Sequence, residues 1–278
     1  ADAPYPDSVI EAAIEHALDG TDPRIRALPG YRARLRGPIL AAIDHVVRLV
    51  DTLPPPVAAD SEGYRSDALL RAMFASFERL QEVLGHDRNL EAARAAAPGC
   101  GVLTGLLVAE LREKHVLGLD LDGDMVRREV RQTVLSFDAH RFVDPAQEEA
   151  ESRRLLKRRA FDHILAQVLA DIGERRMERQ ELGAQRALLA RKLELLRGAG
   201  WSLGDGASDG ASGDGDDSQR IELELAEIEG RLEALGPDTE TLETHLGMLA
   251  DALAAPAERL YVVQRRLALD HRNVLREG

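Results

Sequence analysis

The chain has 278 residues, 44% of them hydrophobic, and a formal net charge of −13. That is enough apolar content to build the core of one or two domains and excludes a disordered chain, while the acidic balance disfavours indiscriminate binding to nucleic acid. The single cysteine, Cys100, excludes an intramolecular disulfide, no Cys/His spacing resembles a zinc site, and an intracellular, cytoplasmic setting is expected. Ala1-Asp2-Ala3-Pro4 opens no leader pattern, and no run approaches about eighteen apolar residues, so neither a targeting peptide nor a membrane span is predicted.

Aromatics make up 4% of the chain, and Ala and Leu abound, which suits helix-on-helix packing better than a large sheet. In the first hundred residues Ser8 predicts a cap for a helix to about Leu18, ended by Asp19-Gly20. Five arginines crowd positions 24, 26, 32, 34 and 36, broken by Pro29-Gly30 and Gly37-Pro38. They read as a solvated surface beside Asp19, Asp22 and Asp44, with an anion site as the sharper alternative. From Pro38, Leu40, Ile43, Val46, Val47, Val50 and Leu53 outline an amphipathic helix with proline in its first turn, stopped by Pro54-Pro55-Pro56. Ser66 is placed as the cap of a further helix whose apolar face runs from Leu69 to Leu84. A short one covers Asn89 to Ala97.

Between Val102 and Phe137 the period changes. Leu117, Leu119 and Leu121 alternate with smaller or polar residues, and Asp122-Gly123 is a two-residue turn signal before Val126, Val130 and Val134. Pairing Leu121 with Asp124 sets Leu119 opposite Val126, Leu111 opposite Val134 and His115 opposite Val130. One face is then apolar on both strands, although the three valines also fit a helix face. A lone hairpin is marginal in water, and Tyr261-Val262-Val263 or Leu267-Ala268-Leu269 is the expected third strand.

From Pro145 to Pro256 the chain reads as two long helical arms. Phe161, Val168, Leu182, Leu189 and Leu196 share one seven-residue spacing, Leu165, Ile172 and Leu193 the companion seam, and Arg175, Arg179 and Arg186 the remaining seam positions. Such a stripe is buried only against a partner helix. Ile221, Leu225, Ile228, Leu232 and Leu235 supply one, and Leu242, Leu246, Leu249 and Leu253 resume its register past Thr239. Charge agrees: residues 152–197 hold twelve Lys and Arg against six Asp and Glu, and residues 198–258 hold two against fifteen. The central arginines mark a bend or a partner-facing patch. The Gly/Ser/Asp run 204–217, inside a loop taken as 198–218, is expected to be flexible, with calcium binding as its sharper alternative.

The chemical motifs are thin. Leu119-Asp120-Leu121-Asp122-Gly123-Asp124 resembles the first motif of haloacid dehalogenase-like phosphatases, which implies Asp120 as nucleophile and Asp122 as acid/base beside magnesium. The resemblance spans six residues, Asp124 replaces the usual Thr, and no alternating strand and helix units follow. The same aspartates miss the EF-hand pattern, with glycine at the fourth loop position and Arg131 where the bidentate Glu belongs. No two of the eight histidines show ligand spacing on a helix turn, and no nucleophile elbow or phosphate loop is present. The basic run Arg153-Arg154-Leu155-Leu156-Lys157-Arg158-Arg159 follows Glu148, Glu149 and Glu151 and is read first as a neutralised helix face.

The expected fold is mainly α: a short-helix region over 1–100, a small antiparallel β-hairpin over 101–144 completed by 260–270, an antiparallel coiled-coil hairpin over 145–254, and a C-terminal segment, 255–278, packing back on the body. The expected function is a non-enzymatic helical scaffold or adaptor acting on a protein partner or on its own copy through the coiled hairpin. It has no catalytic, cofactor or metal residues. The alternatives are nucleic-acid binding through the Arg-rich helix around 153–192 and a metal-dependent phosphatase at Asp120 and Asp122.

Overall fold

The computed structural model describes residues 5–122, 125–202, 212–235, 241–270 and 272–276, with side chains at 5–118, 129–196, 218–235, 242–270 and 272–276. The chain is mainly α with one antiparallel β-ribbon. It divides into two compact units, Ala1–His45 with Phe161–Leu260 and Val46–Ala160 with Tyr261–Gly278.

The first unit begins with α1 (Asp7–Asp19), whose face Ile10, Ile14, Ala17 and Leu18 is buried. Pro6 precedes it and Ser8 lies inside the first turn, so the helix starts one residue ahead of the expected cap and without a side-chain cap. A single 3-10 turn, Pro23–Ala27, follows, capped by Asp22. Helix α2 (Tyr31–Asp51) starts seven residues before Pro38, which sits inside it. Proline removes one backbone donor there, and the burial of Leu35, Ile39 and Ala42 on one face holds the helix through that gap.

Helix α7 (Glu149–Ser202) runs 54 residues, about 80 Å at the usual rise. Its portion in this unit carries the predicted seam: Phe161, Leu165, Val168, Ile172, Leu182 and Leu193 are buried, and Leu189 and Leu196 half-buried. The helix is continuous through the central arginines, of which Arg175 and Arg186 are exposed and Arg179 half-buried. The second arm is two helices, α8 (Ser212–Ala234) and α9 (Thr241–Ala254), rather than one. Gly236 and Pro237, both poor in helices, lie between them in sequence. Arg231 donates to Glu178 at 3.3 Å and Arg186 pairs with Glu229 at 3.7 Å, so α8 descends as α7 ascends. Ile221, Ile228, Leu246, Leu249 and Leu253 are buried, and Leu225, Leu232, Leu235 and Leu242 half-buried. Helix α10 (Pro256–Arg259) ends the unit, with Arg259 donating to Asp171 at 2.6 Å.

In the second unit α3 (Ser61–Ser66) ends at the residue expected to cap a long helix, and two short helices, α4 (Ala68–Met73) and α5 (Phe77–Gly85), replace that helix. The caps are Asp60 for α3, Asp67 for α4 and Ser76 for α5, each accepting from backbone N–H of its helix; the last two segment what apolar spacing alone makes continuous. Helix α6 (Arg88–Ala96) is capped by Asp87, whose second carboxylate oxygen accepts from the Phe142 N–H at 2.8 Å.

Strands β1 (Thr104–Asp122) and β2 (Met125–Ala146) form the antiparallel ribbon, so the valines from 126 to 134 are strand residues and not a helix face. Its register departs from the expected one. Asp122 pairs with Met125, Leu121 with Val126, His115 with Thr133 and Leu111 with Phe137. The loop sits one residue later than Asp122-Gly123, and β2 carries an extra residue at each of three bulges. Each bulge holds a non-glycine residue at positive φ: Glu129 (62°), Ala139 (51°) and Asp144 (51°). A Cβ on Gly105 would lie 2.5 Å from Phe142 Cε1, so the ribbon closes on a residue without a side chain near its base. The sheet has two strands: of the segments expected to add a third, Tyr261, Val262 and Val263 are exposed and Leu269 makes an isolated bridge to Leu275 rather than to β1 or β2. Instead the Leu135 N–H donates to the Asn273 carbonyl at 2.9 Å and the Leu275 N–H to the Thr133 carbonyl at 2.8 Å. Phe74, Leu80, Leu90, Leu135, Leu156 and Val274 are buried in this unit.

Candidate functional site

Asp120 and Asp122 belong to β1, opposite Arg127 and Met125 in a two-stranded antiparallel ribbon, and their side chains lie outside the described residues. The parallel sheet that the phosphatase motif requires is absent among the described residues. Of the loop expected over 198–218, residues up to Ser202 belong to α7 and those from Ser212 to α8; 203–211 and the side chains through 217, and with them the calcium reading of 204–217, lie outside the described residues. Among the described residues no group of His, Cys, Asp and Glu is arranged to hold a metal ion. The half-buried Cys100 thiol donates to the Val102 carbonyl at 3.0 Å.

The basic runs bind the chain to itself. Arg153 donates to the carbonyls of Val50, Leu53 and Pro54 at 2.9, 3.3 and 3.0 Å, satisfying backbone acceptors at the end of α2 that no helix turn follows. Lys157 pairs with Asp51 at 2.9 Å, and Arg159 grips both oxygens of Asp144 at 2.7 and 2.8 Å. The five arginines from 24 to 36 meet Asp22, Glu15 with Asp19, Glu15 with Glu11, Glu243 and Asp7 in turn. The five arginines of the surface anion site are therefore paired with carboxylates, as are Arg153, Arg154, Lys157 and Arg159 at the start of the Arg-rich helix.

A buried polar centre of the first unit was not foreseen. Asp22, ahead of the 3-10 turn, is 3% exposed. Its carboxylate accepts from Arg24 Nε and Nη2 at 2.9 and 2.8 Å, from Arg176 Nη2 of α7 at 2.8 Å, and from His245 Nδ1 of α9 at 2.7 Å. The Arg24 hydrogen bonds, opposed by burial and reinforced by His245, hold the Asp22 carboxyl far below the usual carboxylate range. Burial pushes the His245 pKa below the ordinary imidazole value, against the pull of Asp22 and with the help of Arg176. These bonds tie the turn, α7 and α9 together through one carboxylate.

Beside it, Asp171, Glu174, Arg175 and Glu178 of α7 face Met248 and Asp251 of α9 and Glu258 and Arg259 across an open cleft of about 610 Å³. The hairpin itself offers something different. With its inner seam filled, Met177, Leu188 and Leu195 of α7 and Leu223 of α8 stay outside, 71%, 69%, 67% and 68% exposed. The signal for these was in the sequence: they fall between the seam positions of each arm. Comparison with protein-family models, with curated proteins and with solved structures finds no match for this chain.

Proposed function

We propose that this protein is a non-catalytic helical scaffold or adaptor, acting inside the cell through protein–protein contacts of the α7–α8 hairpin, packed as an antiparallel coiled coil. The observation that carries the reading is the apolar surface left on the outside of a hairpin whose apolar seam positions are buried or half-buried: Met177, Leu188, Leu195 and Leu223. Large apolar side chains aligned on an exposed helix face are the anchors by which helix-in-groove and coiled-coil contacts are made. The seven-residue spacing of the buried stripe supports supercoiled packing of the arms. No helix of the described residues is long and apolar enough to cross a membrane.

The test is to recover proteins bound to the full chain, purify the partner, and titrate it against wild type and against L188S/L195S/L223S. The reading expects the triple variant to keep its helicity and lose binding by about a hundredfold, as for loss of a few central anchors. Equal affinity of the two chains for that partner would remove the hairpin from the function.

A further inference from the structure

We propose that the outer face of α7 pairs with the same face of a second copy of this chain, antiparallel, about a two-fold axis beside Arg186. The proposal rests on the adaptor reading and names one occupant of the hairpin surface. Met177, Ala184, Leu188 and Leu195 are spaced by seven, four and seven, all exposed, and lie opposite Leu182 and Leu193 on the helix. The stripe covers about 27 Å of helix, close to five turns, and its period is that of a second coiled-coil seam.

The order of the residues points to a copy of itself as the partner. Read outward from Arg186 in both directions, Ala184 answers Leu188, and Met177 answers Leu195. A two-fold interface brings exactly such mirror positions together, because each patch meets its own equivalent. The small Ala184 admits the large Leu188 of the other copy at the centre, and Met177 meets Leu195 at either end. Charge follows the same symmetry. Glu181 answers Arg191, giving two opposite-charge pairs, and the neutral Gln180 answers Lys192. On the stripe and its flanks the like-charge match is Glu178 with Glu194, where Glu178 is already paired with Arg231 of its own α8 at 3.3 Å; the matches of Arg186 with itself and of Arg175 with Arg197 fall on the opposite face of the helix. A foreign helix would require none of this symmetry.

Sedimentation equilibrium on the full chain and its variants tests the pairing, with far-UV circular dichroism as the check on folding. The wild type is expected to dimerise and L188K/L195K to sediment as a monomer. E181R and R191E each replace two attractions with two repulsions and are expected to weaken the dimer about tenfold, since exposed pairs contribute little individually. E181R/R191E in one chain restores opposite signs and the dimer, and an equimolar mixture of the two single variants forms the heterodimer in preference to either homodimer. A wild-type monomer at roughly 100 μM, well above a micromolar Kd, overturns the proposal, and so does a dimer indifferent to the charge exchange. If the chain is monomeric yet L188K/L195K loses a purified protein partner, the self-pairing fails and the adaptor reading stands. A charge-exchangeable dimer with no other partner upholds the pairing and limits the hairpin to self-assembly.

Discussion

The Asp22 carboxylate accepts a 2.7 Å hydrogen bond from Nδ1 of His245, 223 residues away in sequence, and both side chains are 3% exposed. Arg24 and Arg176 complete the set, but their side chains are 61% and 45% exposed. Removal of the carboxylate therefore strands two half-solvated cations and one buried imidazole. Asp22→Ala is expected to destabilise the chain by roughly 3 kcal/mol, the low end for breaking a buried pair, because water recovers part of the arginines' charge. Urea unfolding of wild type and variant measures this. A loss under about 0.5 kcal/mol, typical of an ordinary surface change, would mean the centre holds nothing together.

The same pair sets the acid response. His245 has a lowered folded pKa, so it stays neutral in the fold while the unfolded chain takes up a proton below the ordinary value near 6.5. The unfolded state then binds more protons, and stability falls as pH drops from about 6.5 towards 5. Asp22 acts in the same direction lower down, because its folded value lies below the ordinary 3.8 and its contribution is lost as pH falls past about 4. His245→Asn supplies an amide donor in place of Nδ1 without a titrating group. It is expected to flatten the upper part of the curve, leaving the share of His140, whose pKa burial also lowers, and to keep the lower part. An unchanged slope between pH 5 and 6.5 would assign the acid response to other groups.

These two residues also show where sequence ran out. The leucine seams were legible because each arm repeats one apolar type at a fixed period, and all eight predicted apolar positions of the first arm are buried or half-buried. Asp22 and His245 repeat nothing; a polar pair made across 223 residues leaves no periodic trace. The Arg-rich run before Phe161 carried a charge signal, but Arg153 within it meets the carbonyls of Val50, Leu53 and Pro54, which every sequence possesses. The hairpin was visible in the Asp-Gly turn and the alternation of leucines, whereas its register was not. Bulges at Glu129, Ala139 and Asp144 need backbone conformations that no residue there advertises.

The inner and outer faces of the hairpin separate stability from surface. Leu182 is 2% exposed on the seam, and Leu188, six residues on, is 69% exposed. Leu182→Ala is expected to cost about 2–4 kcal/mol through lost burial and the cavity left behind, and Leu188→Ala less than about 0.5 kcal/mol in the monomer. Thermal or urea unfolding of the two variants at low concentration reads the difference. Equal costs would place both side chains in the same environment and undo the division between a filled seam and an open face.

The bulge at Ala139 gives a prediction of opposite sign to the usual rule. Glycine in a strand normally weakens it, because its unfolded state has more freedom to lose and it packs nothing. Ala139 is exposed, so it has little packing to give up, and it holds φ at 51°, where its Cβ crowds the backbone at a cost of about 1 kcal/mol. Ala139→Gly relieves that strain and is expected to leave stability unchanged or raise it by up to about 1 kcal/mol. Ala139→Val, with a branched Cβ in the same conformation, is expected to lower it by at least about 1 kcal/mol. Because the extra residue shifts every pairing between it and the base of the ribbon, amide exchange at Leu106 and Leu107 should follow the same order, slowest in the glycine variant and fastest in the valine one. A glycine variant that unfolds more readily than wild type would show that the bulge is not under strain.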